Sequence, residues 1–144
     1  MFSHTLEETL NYAFTQAREK RQEFITVEHL LLALLENPEA RKVLTGCGAN
    51  LQRLKAGLGI FVDETTPRFP SHVKNELQPT LSFQRVLQRA IYQAQNNHRK
   101  EVAGTHVLSA LFSEPESQAV YFLSQENVTQ MDIIHFLSQG RDKK

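Results

Sequence analysis

The sequence predicts an all-α protein of eight helices, arranged as two four-helix repeats related by a pseudo-twofold axis. Apolar residues recur at helical spacing along most of the 144 residues, and strand signals are almost absent. Residues that commonly cap helices stand at the ends of the periodic segments. When Leu10 is placed on Leu87, the two halves align without a gap and His29 falls on His106. The two halves are therefore interpreted as copies of one unit.

The second helix of the first repeat is the best delimited. Thr26 is its predicted N-cap, because a Thr hydroxyl accepts a hydrogen bond from a free N–H group of the first turn. Val27, Leu30, Leu31 and Leu34 fall at helical spacing and form one apolar stripe. Leu32 and Leu35 widen this stripe, so the helix is expected to be buried on more than one face. Asn37 and Pro38 then predict the start of a third helix, with Asn37 as its cap and Pro38 in the first position.

The other helices of the first repeat follow from the same signals. Ser3 or Thr5 caps the first helix, which is predicted to run to about Arg21. The third helix ends before Gly46, and Asn50 caps the fourth. The residues predicted to face inward from helices one and four are Leu6, Leu10, Ala13, Phe14, Ala17, Leu51, Leu54, Leu58 and Phe61.

Residues 63–79 contain three prolines and no sustained period. They predict a linker across the surface between repeat one, residues 3–62, and repeat two, residues 80–139, within one domain. Helix five is predicted over residues 82–96, and residues 140–144 form a charged tail. The residues predicted to face inward in repeat two are Phe83, Leu87, Ala90, Ile91, Ala94, Val107, Leu108, Leu111, Phe112, Val120, Tyr121, Leu123, Met131, Ile134 and Phe136.

Composition excludes several functional classes. Sixteen basic residues balance sixteen acidic ones, whereas a surface for nucleic acid or an anionic membrane requires a basic excess. No apolar run is long enough to cross a bilayer, so no membrane span is expected. The single cysteine, Cys47, rules out an intramolecular disulfide and fits a reducing cytoplasm.

Motifs for catalysis are also lacking. No glycine is followed by lysine, so the chain has no phosphate-binding loop for ATP hydrolysis. The histidines lack the spacing of metal ligands, and no metal site is expected. His29 and His106 occupy the same repeat position, and they form either a catalytic or ligand-binding pair or two structural contacts at helix starts. Cys47 is either a nucleophile or an inert thiol at a helix end. The structural interpretation is favoured for both, which leaves a small hydrolase as the less favoured alternative.

Two segments carry a resemblance to a known family. TVEHLLLALLENPEA and PTLSFQRVLQRAIYQAQ resemble the N-terminal domain of Clp ATPases, and the similarity extends over the whole chain. FITVEHLLLALL, TLSFQRVLQRA and LFSEPESQAVYFL are more similar to the ClpA branch of this family than to its ClpB or ClpC branches. The resemblance implies the eight-helix, two-repeat fold that the periodicity also predicts.

The resemblance further implies a non-catalytic docking domain, joined by a flexible linker to an AAA+ hexamer. ATP and Mg²⁺ would bind only in modules that this chain lacks, and the domain itself would carry no cofactor. Its implied partners are the adaptor ClpS, which delivers substrates bearing N-degrons, protein substrates themselves, and ClpP through the hexamer. The alternative is another adaptor or an unfolded polypeptide bound directly. The isolated domain is expected to be a cytoplasmic monomer, and its end, where an ATPase module would begin, favours a fragment.

In this family the adaptor face includes acidic residues at the start of helix two and residues at the start of helix five. On this sequence they correspond to Glu23, Glu28, Thr80 and Arg85. The Glu28 carboxylate is expected to face solvent. Arg85 is expected to bind a carboxylate or a backbone carbonyl of the partner, or to pair with a nearby Glu of the domain. Thr80 is expected to cap helix five, contact the partner, or both.

The repeat alignment bears on two of these positions. Arg85 corresponds to Glu8 and Glu28 to Thr105, so neither residue is required at both equivalent places.

Overall fold

The computed structural model describes residues 1–70 and 76–139. The eight α-helices in the described residues are α1 (His4–Glu19), α2 (Val27–Leu34), α3 (Pro38–Gly46), α4 (Leu51–Thr65), α5 (Leu81–Asn96), α6 (Gly104–Ala110), α7 (Gln118–Gln125) and α8 (Gln130–Gln139). A 3-10 turn over Leu111–Ser113 extends α6, and two short strands, β1 (Phe24–Ile25) and β2 (Gln78–Pro79), complete the fold. The all-α prediction is confirmed.

The two repeats share most of their helix boundaries. In the repeat alignment the first and last residues of α1 fall on the first and last residues of α5, and α2 and α6 begin at equivalent positions. The caps predicted from the sequence are in place, since Thr26, Asn37 and Asn50 each accept a backbone N–H from the first turn of their helix. Ser3 rather than Thr5 caps α1. Local cap chemistry therefore fixes the helix starts of repeat one.

The later helices of repeat two depart from this register. Pro38 is the first residue of α3, but its counterpart Pro115 precedes α7, which begins at Gln118 with Ser117 as its cap. Asn127, the counterpart of the cap residue Asn50, has a positive φ of 60° and is not an N-cap. Thr129 fills that role for α8, since its Oγ1 accepts the N–H of Asp132 at 3.1 Å.

Helix α4 runs past the predicted end of repeat one at residue 62 and continues through Thr65. The predicted linker therefore begins later than residue 63. Its first part is tied to the domain, because the N–H of Glu23 donates to the Pro67 carbonyl at 2.8 Å and the N–H of Phe69 donates to the Arg21 carbonyl at 2.8 Å. Residues 71–75 of the linker and the charged tail at 140–144 lie outside the described residues.

Three inward-facing predictions are wrong. Tyr121, Met131 and Ile134 are exposed, whereas their neighbours Ala119 and Ile133 are fully buried. Helices α7 and α8 have only 8 and 10 residues and carry apolar side chains around most of their circumference. Periodicity cannot select the buried face of so short a helix, and packing against the other repeat selects it instead.

The strands connect the two repeats. Phe24 pairs with Gln78 and Ile25 with Pro79 in parallel, so the segment before α2 is joined to the segment before α5. An isolated parallel bridge between Phe2 and Val102 is the counterpart of the Ile25–Pro79 pair in the repeat alignment. In each repeat, the segment before the second helix thus pairs with the segment before the first helix of the other repeat. Two-residue strands have no alternating pattern, so the sequence did not reveal them.

Asn37 and Gly104 form a tight contact between the repeats. Asn37 is fully buried, and its side chain caps α3 through Oδ1 while its Nδ2 donates to Thr9 Oγ1 at 2.9 Å. A Cβ atom on Gly104 would lie 2.4 Å from Asn37 Oδ1. Glycine at the start of α6 therefore allows repeat two to approach this cap.

We expect Gly104→Ala to lower the free energy of unfolding by about 1–3 kcal/mol, because the new methyl group must displace a buried, hydrogen-bonded amide. Urea denaturation measures the change. Gly59→Ala is the matched control, since a Cβ at this position meets nothing within 4 Å. The control should stabilise α4 by roughly 0.5–1 kcal/mol. Equal stability of the Gly104→Ala variant and the wild type would contradict the contact.

Candidate functional site

Strand pairing brings two of the four candidate residues together. The N–H of Gln78 donates to the carbonyl of Glu23 at 3.0 Å, and the N–H of Thr80 donates to the carbonyl of Ile25 at 3.0 Å. Glu23 and Thr80 are distant in the sequence but lie on neighbouring backbone segments as a result. The structure therefore supplies the juxtaposition that the sequence could take only from the resemblance.

Two apolar side chains lie exposed beside these residues. Phe24 is 40% exposed and follows Glu23, while Leu81 is 71% exposed and follows Thr80. Arg85 lies one turn further along α5 and is also exposed. We refer to Glu23, Phe24, Thr80, Leu81 and Arg85 together as the β1–α5 face.

Thr80 caps α5 as predicted. Its Oγ1 accepts the N–H of Phe83 at 3.2 Å and lies 3.3 Å from the hydroxyl of Ser82. The cap fixes the start of the helix, and with it the positions of Leu81 and Arg85.

Arg85 is paired within the domain, one of the two possibilities left open by the sequence. Its Nε donates to Glu114 Oε2 at 2.9 Å and a terminal nitrogen donates to Oε1 at 2.7 Å. Hydrogen bonding within this bidentate pair, followed by charge attraction, raises the pKa of Arg85, and the Arg85 hydrogen bond lowers the pKa of Glu114. Both groups are thus ionised at neutral pH, and the pair presents a fixed donor fork next to a carboxylate.

The prediction that the Glu28 carboxylate faces solvent is wrong. Glu28 is buried, and its Oε2 accepts the backbone N–H groups of Gln118 at 2.9 Å and Ala119 at 3.2 Å. These are the first two residues of α7, where N–H groups have no partner inside the helix. Glu28 of repeat one therefore caps a helix of repeat two. Because these partners belong to the other repeat, the contact is not visible in the sequence.

Sequence reasoning did not single out Phe24, Leu81 or Glu114. A signal for the first two was available in the repeat alignment. Phe24 falls on Glu101 and Leu81 falls on His4, so apolar residues stand at these exposed positions in only one of the two equivalent places. Glu114 aligns with the buried cap Asn37 of repeat one. The acid at this position gave no indication that Glu114 pairs with Arg85.

His29 and His106 have the structural role that the sequence favoured. Nδ1 of His29 accepts the N–H of Thr26 at 3.0 Å, and Nδ1 of His106 accepts the N–H of Ala103 at 2.9 Å. In repeat one the contact is reciprocal, because Thr26 Oγ1 accepts the N–H of His29. Ala103 has no hydroxyl, so repeat two retains only the histidine half of this arrangement.

The other ring nitrogen of His29 extends the network. Nε2 lies 2.8 Å from Gln22 Oε1, and the amide nitrogen of Gln22 donates to the Val62 carbonyl at 3.3 Å. Because Nδ1 already accepts a hydrogen bond, the neutral ring carries its proton on Nε2 and donates it to Gln22. Burial, and secondarily the Lys20 charge, lowers the pKa of His29 to about 4. The ring is thus neutral at pH 7 and joins the ends of α1 and α4 to the start of α2.

Neither a metal site nor a membrane span is found in the described part of the chain. Over residues 1–70 and 76–139, no three His, Cys, Asp or Glu side chains are placed to hold a metal ion. No helix within the same ranges combines the length and apolar character needed to cross a membrane. Cys47 is buried, which does not fit an accessible nucleophile.

Comparison with known proteins identifies the family. The profile described as the Clp repeat (R) N-terminal domain matches residues 1–126. The chain belongs to the Clp N-terminal domain family. Domains of this family dock partners and have no catalytic centre, and the chain carries no ATPase module.

Individual relatives agree with this assignment. The chain is 41% identical over 140 residues to a ClpA homolog protein of Fuscovulum blasticum, covering 96% of this chain but only 18% of that relative. The N-terminal domain of Hsp104 from Candida albicans has a TM-score of 0.81 at 15% identity, over 98% of this chain and 93% of that one. A ClpV N-domain solved in complex with a VipB peptide has a TM-score of 0.75 at 18% identity, over 96% of this chain and 85% of that one.

We expect Glu28→Ala to lower the free energy of unfolding by about 1–3 kcal/mol, because it leaves two N–H groups of α7 without an acceptor. Glu28→Gln should cost less, since an amide oxygen can still accept. Urea denaturation with Glu116→Ala as an exposed acidic control tests this. A Glu28→Ala variant as stable as that control would show that the carboxylate does not cap α7.

The histidine network predicts a dependence of stability on pH. The pKa of His29 is about 4 in the folded state and 6.5 ordinarily, so between these values the unfolded chain binds more protons. The stability supplied by the neutral ring is complete above pH 6.5 and decreases as pH falls toward 4, by up to about 3 kcal/mol. His106, with a pKa lowered chiefly by burial, contributes in the same direction.

Urea denaturation from pH 7 to 4.5 measures this slope in the wild type and in His29→Gln. We expect the substitution to remove most of the slope, whatever its effect at pH 7. An unchanged slope would assign the acid sensitivity to other groups.

Proposed function

We propose that this domain docks a ClpS-type adaptor on its β1–α5 face. The adaptor would deliver substrates bearing N-degrons to a cytoplasmic AAA+ unfoldase, which passes them to ClpP. ATP and Mg²⁺ would act in the ATPase modules of that unfoldase, outside this chain. The chain spans 18% of the length of its ClpA relative, so these activities belong to a larger assembly.

The observation that supports the proposal is the composition of the face. Phe24 and Leu81 are exposed apolar residues, and Glu23, Thr80 and Arg85 are the charged and polar residues next to them on β1 and α5. An apolar centre within a polar rim is the usual organisation of a protein–protein interface. Charged rim groups raise the association rate and set the orientation of the partner.

The pseudo-symmetric counterpart of the face strengthens the argument. Phe24 and Leu81 correspond to Glu101 and His4, which are exposed polar residues on the other side of the domain. The fold therefore forms without apolar groups at these positions. Their presence at one of two equivalent places favours a partner that binds one side of the domain only.

The candidate residues take different roles in this proposal. Glu23 offers an acidic group at the rim, and the pair of Arg85 with Glu114 offers a preformed donor and acceptor. Thr80 positions the start of α5. Glu28 acts indirectly, because its carboxylate is occupied by α7 and holds the segment that follows Glu114. The binding of a VipB peptide by the ClpV N-domain supports the use of this fold for docking a polypeptide.

Substitutions on the face should weaken the adaptor complex. We expect Leu81→Asp and Glu23→Lys each to reduce the affinity for purified ClpS by about tenfold or more, because they place a charge in the apolar centre or reverse one at the rim. Isothermal titration calorimetry with the wild-type domain measures the reference affinity. Leu81 is exposed, so its substitution should leave the melting temperature nearly unchanged.

Glu101→Lys is the matched control, since it makes the same charge reversal at the counterpart of Phe24. Helix α5 alone is about 24 Å long and separates this position from Leu81. The control should bind ClpS as the wild type does. Absence of wild-type binding, or equal weakening by Glu101→Lys, would refute the proposal and favour another adaptor or direct binding of unfolded polypeptide.

A further inference from the structure

A cavity of about 190 Å³ lies within repeat one, between helices α1, α2 and α4. Its apolar wall includes Ala13, Leu32, Ala33 and Val62, and Gly59 forms part of its α4 side. None of the residues of the β1–α5 face lines this cavity. It is therefore a feature separate from the proposed adaptor site, and we call it the Gly59 cavity.

Glycine at position 59 leaves open space beside α4. A Cβ atom added there would meet nothing within 4 Å, so close packing does not require a glycine. The contrast is Gly57, two positions earlier, where a Cβ would lie 2.7 Å from the ring of Phe122. A glycine in the middle of a helix is unfavourable relative to alanine. Gly59 weakens α4 without any packing benefit in the domain as it stands.

Repeat two carries a large aromatic residue at this position. The repeat alignment places Gly59 on Phe136 and Leu32 on Ser109, and it places His29 on His106. Phe136 is buried, with 7% of its surface exposed, and lies in the groove lined by His106 and Ser109. In repeat two a phenyl ring of the chain itself thus forms part of the groove wall at the position where repeat one has glycine.

The charged groups and the imidazole around the Gly59 cavity already have partners. His29 Nε2 is bonded to Gln22, Lys20 Nζ contacts Asp63 Oδ1 at 2.6 Å, and Lys55 Nζ contacts Glu36 Oε2 at 3.4 Å. No buried side-chain nitrogen or oxygen in the described residues lacks a hydrogen-bond partner. A ligand there would find balanced charges at the rim and apolar contacts inside, which favours an uncharged ring over an anion or a cation.

We propose that the Gly59 cavity binds a single aromatic side chain of a polypeptide. Its volume is comparable with the roughly 150 Å³ of an engineered cavity that holds benzene. Tyr12, 42% exposed, lines the cavity and adds an aromatic ring to its wall. The choice of a polypeptide as the source of the ring rests on the proposed function, in which the domain serves an unfoldase of proteins.

The test follows the backbone amide chemical shifts of the isotope-labelled domain by NMR during titration with acetyl-Gly-Phe-Gly-amide. We expect saturable shifts at Gln16, Leu32, Ala33 and Gly59, with affinity in the millimolar range for one side chain. The matched peptide acetyl-Gly-Ala-Gly-amide should bind about tenfold more weakly, because it lacks the ring. Benzyl alcohol forms a separate arm, which supplies the ring without a peptide.

Gly59→Phe restores the residue of repeat two and should abolish these shifts by filling the cavity. Gly59→Ala adds only a methyl group and should retain binding to within about threefold. Should Gly59→Phe not fold, Leu32→Ser introduces the repeat-two residue in the wall and should weaken the peptide by about fivefold or more.

Three outcomes would overturn the proposal. They are the absence of shifts at the lining residues, shifts that persist in the folded Gly59→Phe variant, and a result in which benzyl alcohol binds but the Phe peptide does not. The tripeptide experiment does not involve ClpS. Loss of ClpS binding therefore counts against the adaptor proposal alone, and loss of tripeptide binding against the cavity alone.

Discussion

The fold depends on the need to satisfy backbone N–H groups at the starts of its short helices. Each helix leaves several such groups without an internal partner, and eight short helices produce many of them. Within a repeat, Ser, Thr and Asn caps accept them. Between repeats, acids do so, since Glu28 accepts from the first two residues of α7 and Glu39 Oε1 accepts from Gly104 of α6 at 3.3 Å. Acids of repeat one therefore complete the helix starts of repeat two.

This division explains how much of the fold could be predicted. Thr26, Asn37 and Asn50 were recognisable as caps because they act on N–H groups three residues away in the chain. The role of Glu28 could not be inferred, because its partners are defined only once α2 meets α7. For the same reason Tyr121 and Met131 were placed on the wrong side of their helices. The repeat alignment matched the starts of the first two helices of each half but not those of α7 and α8. It also did not show which contacts cross between the halves.

The candidate site was predicted less completely than the fold. Glu23, Thr80 and Arg85 came from a family resemblance, and no pattern in the sequence would have brought residues 23 and 80 together. Strand pairing does so through two hydrogen bonds. The departures from repeat symmetry are more informative than the shared positions, since residues that both repeats keep, such as His29 and His106, serve the scaffold. Phe24, Leu81 and Gly59 differ between the repeats, and each lies at a place where a partner could bind.

The two parallel pairings also determine how the chain reaches its native state. Ile25 pairs with Pro79, and Phe2 pairs with Val102. Because the partners are far apart in the sequence, each pairing requires a long loop to close. Loop closure of this kind raises contact order, which slows folding relative to helical bundles with local contacts only. Neither half contains both partners of a pairing, so an isolated half would lack these backbone contacts. We therefore expect the domain to fold as a single cooperative unit, with long-range closure rather than helix formation limiting its rate.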